Sequence, residues 1–246
     1  MSKLEVLASA LILRQTDYKD NDAIILALSE QGEFISLYAR GIKKSMSKNA
    51  GGLQAMTFSQ LTYFEKTKGL HLLKSAKYIN SYVKDLNDYD QMMTAFILVE
   101  IITNIQRYQV ENNPEIYQAI TQALSLLNQV DNTLIIAKLL VIVLELNGQK
   151  LIADACAKCG DQKVNYISSD YGGFVCYECL VSNDVEVYSL EVMKLFRYVN
   201  KTDLLKLKNN DFKDNDLLEC LKIIYSFYNT YTGEYLSNIK HFIDVE

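Results

Sequence analysis

Two Cys-x-x-Cys pairs in the second half of the chain restrict its fold more than any other sequence feature. Cys156 and Cys159 form the first pair, Cys176 and Cys179 form the second, and sixteen residues separate the two pairs. A Cys-x-x-Cys turn brings two thiolates within reach of one ion, so two such turns supply the four ligands of a tetrahedral Zn2+ site. Four thiolates close the coordination shell and leave no position for a substrate or water. The spacing therefore predicts one structural zinc ion in a zinc ribbon that spans residues 153–182.

Two other uses of paired cysteines fit this sequence less well. Residues 1–10 carry Lys3 and Glu5 and contain no long apolar core followed by a small-residue cleavage site, so no secretory signal is visible and disulfides are disfavoured. A thioredoxin-like redox site uses one Cys-x-x-Cys pair rather than two at ribbon spacing. The fifth cysteine, Cys220, falls on an apolar helix face and is predicted to be a buried core thiol. These features predict a protein of the reducing cytoplasm.

The first eighty residues are predicted to form five strands and no helix. Each strand is rich in β-branched, aromatic and aliphatic residues, and turn signals such as Gln31-Gly32 separate the strands. The predicted strands are Val6–Arg14, Ala23–Ser29, Glu33–Arg40, Leu53–Glu65 and Leu70–Tyr82. Five strands without a helix favour a small closed barrel, because closure removes exposed sheet edges. An OB-type barrel fits this arrangement, and an SH3-like barrel is the alternative.

After Tyr82 the apolar period changes from that of a strand to that of a helix. Helices are predicted between Met92 and Ile105, from Pro114 onward, over Thr133–Asn147, from Ser189 through Val199, and from Asp214 to about Tyr231. The most apolar segment, Leu134–Leu146, falls short of the ~20 residues that a membrane helix requires. We therefore predict an α+β chain in two domains. Residues 1–82 form the five-stranded OB-type β-barrel, and residues 83–246 form an all-α domain into which the four-cysteine zinc ribbon is inserted.

Charge is distributed unevenly between these two parts. The net charge of −5 argues at first against a polyanionic partner. Residues 1–80, however, hold 11 lysines and arginines against 7 carboxylates, a net +4, whereas residues 81–246 hold 14 against 23, a net −9. No acidic residue lies between Glu33 and Glu65, and that window contains Arg40, Lys43, Lys44 and Lys48. An acidic average is therefore compatible with a cationic barrel that binds a polyanion, attached to an acidic helical body.

The third predicted strand leads directly into this basic segment. Alternation places Phe34, Ser36, Tyr38 and Arg40 on one face of the strand, and leaves the apolar residues between them for the core. Single-stranded nucleic acid is bound in this way, with cations along the phosphates and aromatic rings stacked on bases. The same residues also fit a solvated loop whose aromatic residues cover a neighbouring helix. The spacing alone does not separate these two interpretations.

The sequence contains none of the common enzyme motifs. It has no GxxxxGK[ST], no GxGxxG after a strand and no GxSxG. His71 and His241 are the only histidines, and neither lies in a metal-binding or nucleophile-activating context. Asp20 and Asp22 lie in a polar turn, where capping and solvation explain them. A binding or adaptor protein is therefore favoured over an enzyme, and a ribbon-based nuclease or transferase has little support.

Several segments together resemble the bacterial RecO DNA-repair family. They are Leu11–Tyr18, Ile24–Leu28, Gly32, Tyr38–Ser45, Leu53-Gln54, the double Cys-x-x-Cys within a helical domain, and Tyr235–Phe242. The resemblance covers essentially the whole chain and keeps the motifs in order. It implies an N-terminal OB fold followed by a helical domain with a zinc ribbon.

The resemblance also implies a recombination mediator that is not an enzyme. Members of the family bind single- and double-stranded DNA, anneal complementary strands, and work with RecR and RecF to load RecA onto strands coated by single-strand-binding protein (SSB). By position, Arg40, Lys43, Lys44 and Lys48 match the family's basic segment, and Cys156, Cys159, Cys176 and Cys179 match its metal ligands. Phe34, Tyr38 and Arg14 complete the predicted DNA-binding set. A cytoplasmic, nucleoid-associated protein that is monomeric on its own is expected.

Two points stay open within this resemblance. The family recognises the acidic, phenylalanine-ended SSB tail, but the helical half of this chain is itself acidic. Arg197, Lys201, Lys206 and Lys208 are the nearest cationic candidates for that contact, and a solvated face is the simpler interpretation of them. The alternative function is an adaptor whose barrel binds a protein partner, without direct DNA chemistry.

Overall fold

The structure is a computed structural model that describes residues 4–84, 86, 88–107, 111–180 and 187–243. The chain divides into two compact units. Residues 1–87 and 106–125 form the first unit, and residues 88–105 and 126–246 form the second. Residues 181 and 182, the last two of the predicted ribbon, lie outside the described residues.

Five strands of the first unit close into a barrel in the order β1-β2-β3-β5-β4. The strands are β1 (Glu5–Tyr18), β2 (Asp22–Ser29), β3 (Phe34–Ala39), β4 (Thr57–Phe64) and β5 (His71–Ser81). Neighbouring strands run antiparallel except β3 and β5, which run parallel. This Greek-key connectivity is that of the OB fold. The predicted fold class, an OB-type barrel followed by helices, is therefore confirmed.

The core of the barrel follows the predicted alternation along β3. Ile35, Leu37 and Ala39 are buried, and the residues between them are partly exposed. The fourth strand, however, begins at Thr57 rather than at Leu53. Leu53 ends a short 3-10 turn, and its fully buried side chain packs into the barrel core. An apolar residue that packs into a barrel from a turn has the same sequence signature as one in a strand.

Helix α2 (Pro114–Ser125) lies in the barrel unit. Its start is as predicted, because the Asn113 side chain accepts a hydrogen bond from the Glu115 amide at 2.9 Å and a proline occupies the first helical position. The Tyr117 ring lies 6.2 Å from the ring of Phe58 in β4. The domain division predicted at residue 82 grouped this helix with the other helices, whereas in the structure it packs with the barrel.

Gly32, in the turn between β2 and β3, is enclosed by the start of α2. Its φ is +79°, and a Cβ there would lie 1.9 Å from the Asn113 carbonyl oxygen. Gly69 has nearly the same φ, +78°, but has open space around it. A left-handed conformation costs a side chain about 1–2 kcal/mol at either position. Gly32→Ala is therefore expected to lower the free energy of unfolding well beyond that value and Gly69→Ala only by about that value, as measured by urea denaturation. Equal losses would contradict the close approach.

The second unit is a helical bundle with an inserted ribbon. Its elements are α1 (Tyr89–Ile105), α3 (Asn132–Leu146), β6 (Tyr166–Ser168), β7 (Gly173–Val175), α4 (Leu190–Lys201), α5 (Asp214–Thr232) and α6 (Lys240–Ile243). Helix α3 is buried nearly all round and packs against α1, α4 and α5. Cys220 is 1% exposed, as predicted for a core thiol. Within the described ranges, no helix combines the length and the hydropathy needed to cross a bilayer.

The ends of α3 are set by its flanking residues. The Asp131 carboxylate accepts hydrogen bonds from the amides of Thr133 and Leu134 and so caps the N-terminus. Gly148 follows the C-terminus with a φ of +79°, the left-handed conformation in which glycine commonly ends a helix.

Candidate metal centre and nucleic-acid interface

The four paired cysteines converge on one point. Their Sγ atoms all lie within 4.8 Å of one another, and the Sγ atoms of Cys159 and Cys176 are 3.7 Å apart. A tetrahedron with Zn–S bonds of ~2.3 Å has S–S edges of about 3.8 Å. The donor set and its spacing therefore fit a tetrahedral metal ion, and these are the four cysteines in which the sequence predicts a metal site.

Backbone hydrogen bonds hold the two cysteine turns together. The Gly160 amide donates to the Cys156 carbonyl at 2.9 Å, and the Cys179 amide donates to the Cys176 carbonyl at 3.2 Å. Strands β6 and β7 pair as an antiparallel hairpin between the turns. The Ala157 amide donates to the Phe174 carbonyl at 2.7 Å and so joins the first turn to β7. The ligands are thus presented by one compact unit.

The ligands differ in burial and in acidity. Cys156 and Cys176 are buried beside Val175, whereas Cys159 is exposed. Burial opposes ionisation of Cys156. Hydrogen bonds from backbone amides outweigh this effect, with the Cys176 amide contributing most among them, and lower the pKa of Cys156 to about 6. Hydrogen bonding with Cys159 raises the pKa of Cys179 to about 12. Since metal binding requires thiolates, an ion held by these four cysteines would displace protons from them, and its affinity would rise with pH.

Aromatic contacts continue from the ribbon into the helical core. The ring of Phe174 in β7 lies 5.3 Å from that of Phe196 in α4, and Phe196 lies 6.0 Å from Phe227 in α5. The Tyr231 hydroxyl donates to the Ser169 carbonyl at 3.0 Å. Loss of the metal centre would therefore disturb the packing of α4 and α5 as well as the ribbon.

The predicted DNA-binding residues all reach the surface of the barrel unit. Arg14, Arg40, Lys43, Lys44 and Lys48 are exposed, and Phe34 and Tyr38 are half-buried. The four cations of the basic segment lie at the end of β3 and in the loop that follows it, as predicted.

A β-bulge at Leu13 places Arg14 on the same outer face as β3. The register of β1 against β2 passes from Ile12 opposite Ala27 to Arg14 opposite Leu26 and leaves Leu13 unpaired. Leu26 in turn pairs with Ser36, two residues before Tyr38. Arg14 and Tyr38 thus share a face. Phe34, four residues from Tyr38 along β3, lies about 13 Å away at the other end of the strand.

Two carboxylates contact this surface and were missed by the sequence analysis. The Asp17 Oδ2 atom lies 2.5 Å from Lys43 Nζ. Asp22 accepts hydrogen bonds from the Tyr38 hydroxyl and, at 2.7 Å, from the Gly41 amide. The Tyr38 hydroxyl, followed by the Gly41 amide, holds the pKa of Asp22 below its usual value. Solvation and capping of the turn, which the sequence suggested for Asp22, therefore do not explain its hydrogen bonds to Tyr38 and Gly41.

The β4–β5 turn adds two exposed cations, Lys66 and Lys68. The parallel pairing of Leu37 with His71 brings the start of β5, and therefore this turn, alongside β3. In OB folds the β1–β2 and β4–β5 loops border the oligonucleotide-binding face of strands 2 and 3. The Lys-Thr-Lys-Gly sequence at residues 66–69 is the signal in the sequence for these cations.

Three of the four cations that were candidates for contact with the acidic SSB tail form ion pairs. Arg197 lies 3.0 Å from Asp154, Lys201 contacts the same carboxylate, and Lys206 lies 2.5 Å from Asp203. These contacts fit the interpretation of a solvated face.

Comparison with known proteins assigns both halves of the chain to one family. Residues 1–82 match the family described as "Recombination protein O N terminal", and residues 86–238 match "Recombination protein O C terminal". A protein named DNA repair protein RecO from Listeria monocytogenes serotype 4b (strain CLIP80459) is 26% identical over 233 residues, which cover 94% of this chain and 91% of the relative. The proteins of the same name from Bacillus pumilus and Clostridium acetobutylicum are 25% identical over 242 residues and 27% identical over 221 residues. These cover 97% and 88% of this chain, and 94% and 88% of the relatives.

Proposed function

The chain belongs to the RecO family of recombination proteins, and we propose that it is a non-enzymatic mediator that binds DNA, anneals complementary strands and helps to load RecA onto SSB-coated single strands. One observation carries this proposal. The matched N-terminal part folds as an OB barrel, and its outer face adjoins a cationic segment that has no acidic residue between Glu33 and Glu65.

The proposed mechanism is electrostatic. Lys43, Lys44 and their neighbours neutralise phosphates, which lowers the repulsion between two strands and lets base pairing nucleate. Each neutralised phosphate releases condensed counterions, so binding weakens as salt rises. Tyr38 and Phe34 supply rings for base stacking, and Arg14 extends the cationic track. The acidic second part of the chain, repelled by the strand, orients the barrel toward it.

The four cysteines are proposed to hold one structural Zn2+ ion. Bound there, the ion cross-links the two cysteine turns and contributes no reaction chemistry, because four thiolates close its shell. The proposed partners are RecR, RecF and SSB, and the proposed location is the nucleoid of the cytoplasm. Family membership supports these proposals.

The test of this function is annealing of complementary oligonucleotides coated with SSB. The full chain is expected to accelerate annealing and to bind bare single strands. If four cations contact phosphates, affinity for a single strand should fall about 50-fold between 50 and 200 mM salt. An adaptor that binds only proteins would show no affinity for bare strands, and that result would reject the proposal.

A further inference from the structure

We infer that Asp22 is a positioning residue for the proposed DNA-binding surface, because its carboxylate holds both the Tyr38 ring and the first residue of the basic loop. This inference rests on the proposed function, since it concerns the same surface. It also opposes the simplest electrostatic expectation, which is that any carboxylate beside a polyanion weakens binding.

The contacts of Asp22 join three separate pieces of chain. Its two carboxylate oxygens accept from the Tyr38 hydroxyl on β3 and from the Gly41 amide in the loop. The Lys43 amide donates to the carbonyl of the neighbouring Asn21 at 3.0 Å. Asn21 and Asp22 at the end of the β1–β2 hairpin thereby fix the backbone of Gly41 and Lys43 at the start of the basic loop.

Because Tyr38 is anchored, its side chain loses less conformational entropy when a base stacks on its ring. The Tyr38 ring meets the ring of Tyr18 edge to face, with centroids 5.9 Å apart and planes at 88°. With its hydroxyl held by Asp22 and its ring packed against Tyr18, the Tyr38 side chain has few rotamers left. A side chain that is ordered before binding loses less conformational entropy when a base stacks on it.

Asp17 lies on the same hairpin, but its carboxylate is expected to weaken DNA binding rather than to support it. Its carboxylate faces the Lys43 ammonium at 2.5 Å, where a phosphate would otherwise sit. It makes no contact with Tyr38 or Gly41 among the hydrogen bonds and ion pairs of the described residues. Asp17 therefore competes with DNA for Lys43, whereas Asp22 prepares the surface for it.

The experiment measures the affinity of the full chain for a fluorescein-labelled oligothymidine at 0.1 M salt. Asp22→Ala is expected to weaken binding about fivefold, because ring and loop lose their anchor. Asp22→Asn should bind within about twofold of the original chain, since an amide of the same shape still forms hydrogen bonds with both Tyr38 and Gly41.

Asp17→Asn should bind about threefold more tightly, because the exposed ion pair with Lys43 is removed. Asp20→Asn removes the same charge from the same turn and should change affinity by less than about twofold.

The outcomes separate this inference from the proposed function. If Asp22→Ala tightens binding as Asp17→Asn does, Asp22 is only a repulsive charge and the inference is overturned.

Circular dichroism establishes that each variant is folded. If Asp22→Ala does not fold, Tyr38→Phe decides, because it keeps the ring and removes the anchored hydroxyl. Weaker binding by Tyr38→Phe supports the inference, and unchanged binding overturns it. If replacing Lys43 and Lys44 leaves affinity unchanged, the surface itself is wrong and both proposals fall.

Discussion

Replacing Cys176 with serine is expected to abolish metal binding and to destabilise the helical unit. The thiol is buried beside Val175 and is one of four convergent ligands. Structural zinc contributes about 10–16 kcal/mol of apparent binding free energy in isolated fingers, as much as the whole stability of an ordinary domain. Even partial loss of that energy should lower the melting temperature by about 10 °C or more in a chain of this size. Metal analysis and thermal denaturation measure the two effects.

Cys220→Ala is the matched control for this change. It also removes a buried thiol from the helical unit, but Cys220 is not part of the convergent cluster. The control is expected to keep one zinc ion per chain. EDTA should lower the melting temperature of the original chain to that of Cys176→Ser and should leave Cys176→Ser itself unchanged. A Cys176→Ser variant that retained zinc, or that lost zinc without loss of stability, would contradict the structural role.

The convergence of the four cysteines was predictable because its determinants are local. Each Cys-x-x-Cys turn brings two ligands together within four residues, and the glycines around the turns allow the required backbone. The RecO resemblance, which the family matches confirm, added the order of the two domains. The alternation of β3 was equally predictable, since burial of Ile35, Leu37 and Ala39 repeats every second residue.

The contacts of Asp22 and Asp17 were not predictable in this way. Gly41 lies 19 residues from Asp22 in the sequence, so their hydrogen bond depends on the pairing of β2 with β3. The position of Arg14 depends on the bulge at Leu13, which interrupts the alternation of β1 without a glycine to mark it. The packing of α2 on the barrel had no sequence signal either, because an apolar helix face does not identify its partner. Tertiary register decides each of these features.

The double substitution of Lys43 and Lys44 by alanine is expected to reduce affinity for single-stranded DNA by about 25-fold at 0.1 M salt, if each lysine neutralises one phosphate. Both lysines are exposed and lie in the loop after β3, so their removal should leave the fold intact. The slope of log affinity against log salt should become shallower by about 1.4. Annealing should fall in parallel. Oligonucleotide titrations at several salt concentrations measure both the affinity and the slope.

The two lysines are not expected to contribute equally. Lys43 already faces the Asp17 carboxylate, so DNA must displace that carboxylate before a phosphate can take its place. Lys44→Ala alone should therefore weaken binding more than Lys43→Ala alone. Lys213→Ala/Lys222→Ala removes the same charge from exposed positions of the acidic helical unit and serves as the control, with an expected change below about twofold. If the control loses as much affinity as the loop variant, DNA responds to net charge rather than to the barrel surface, and the proposed interface is rejected.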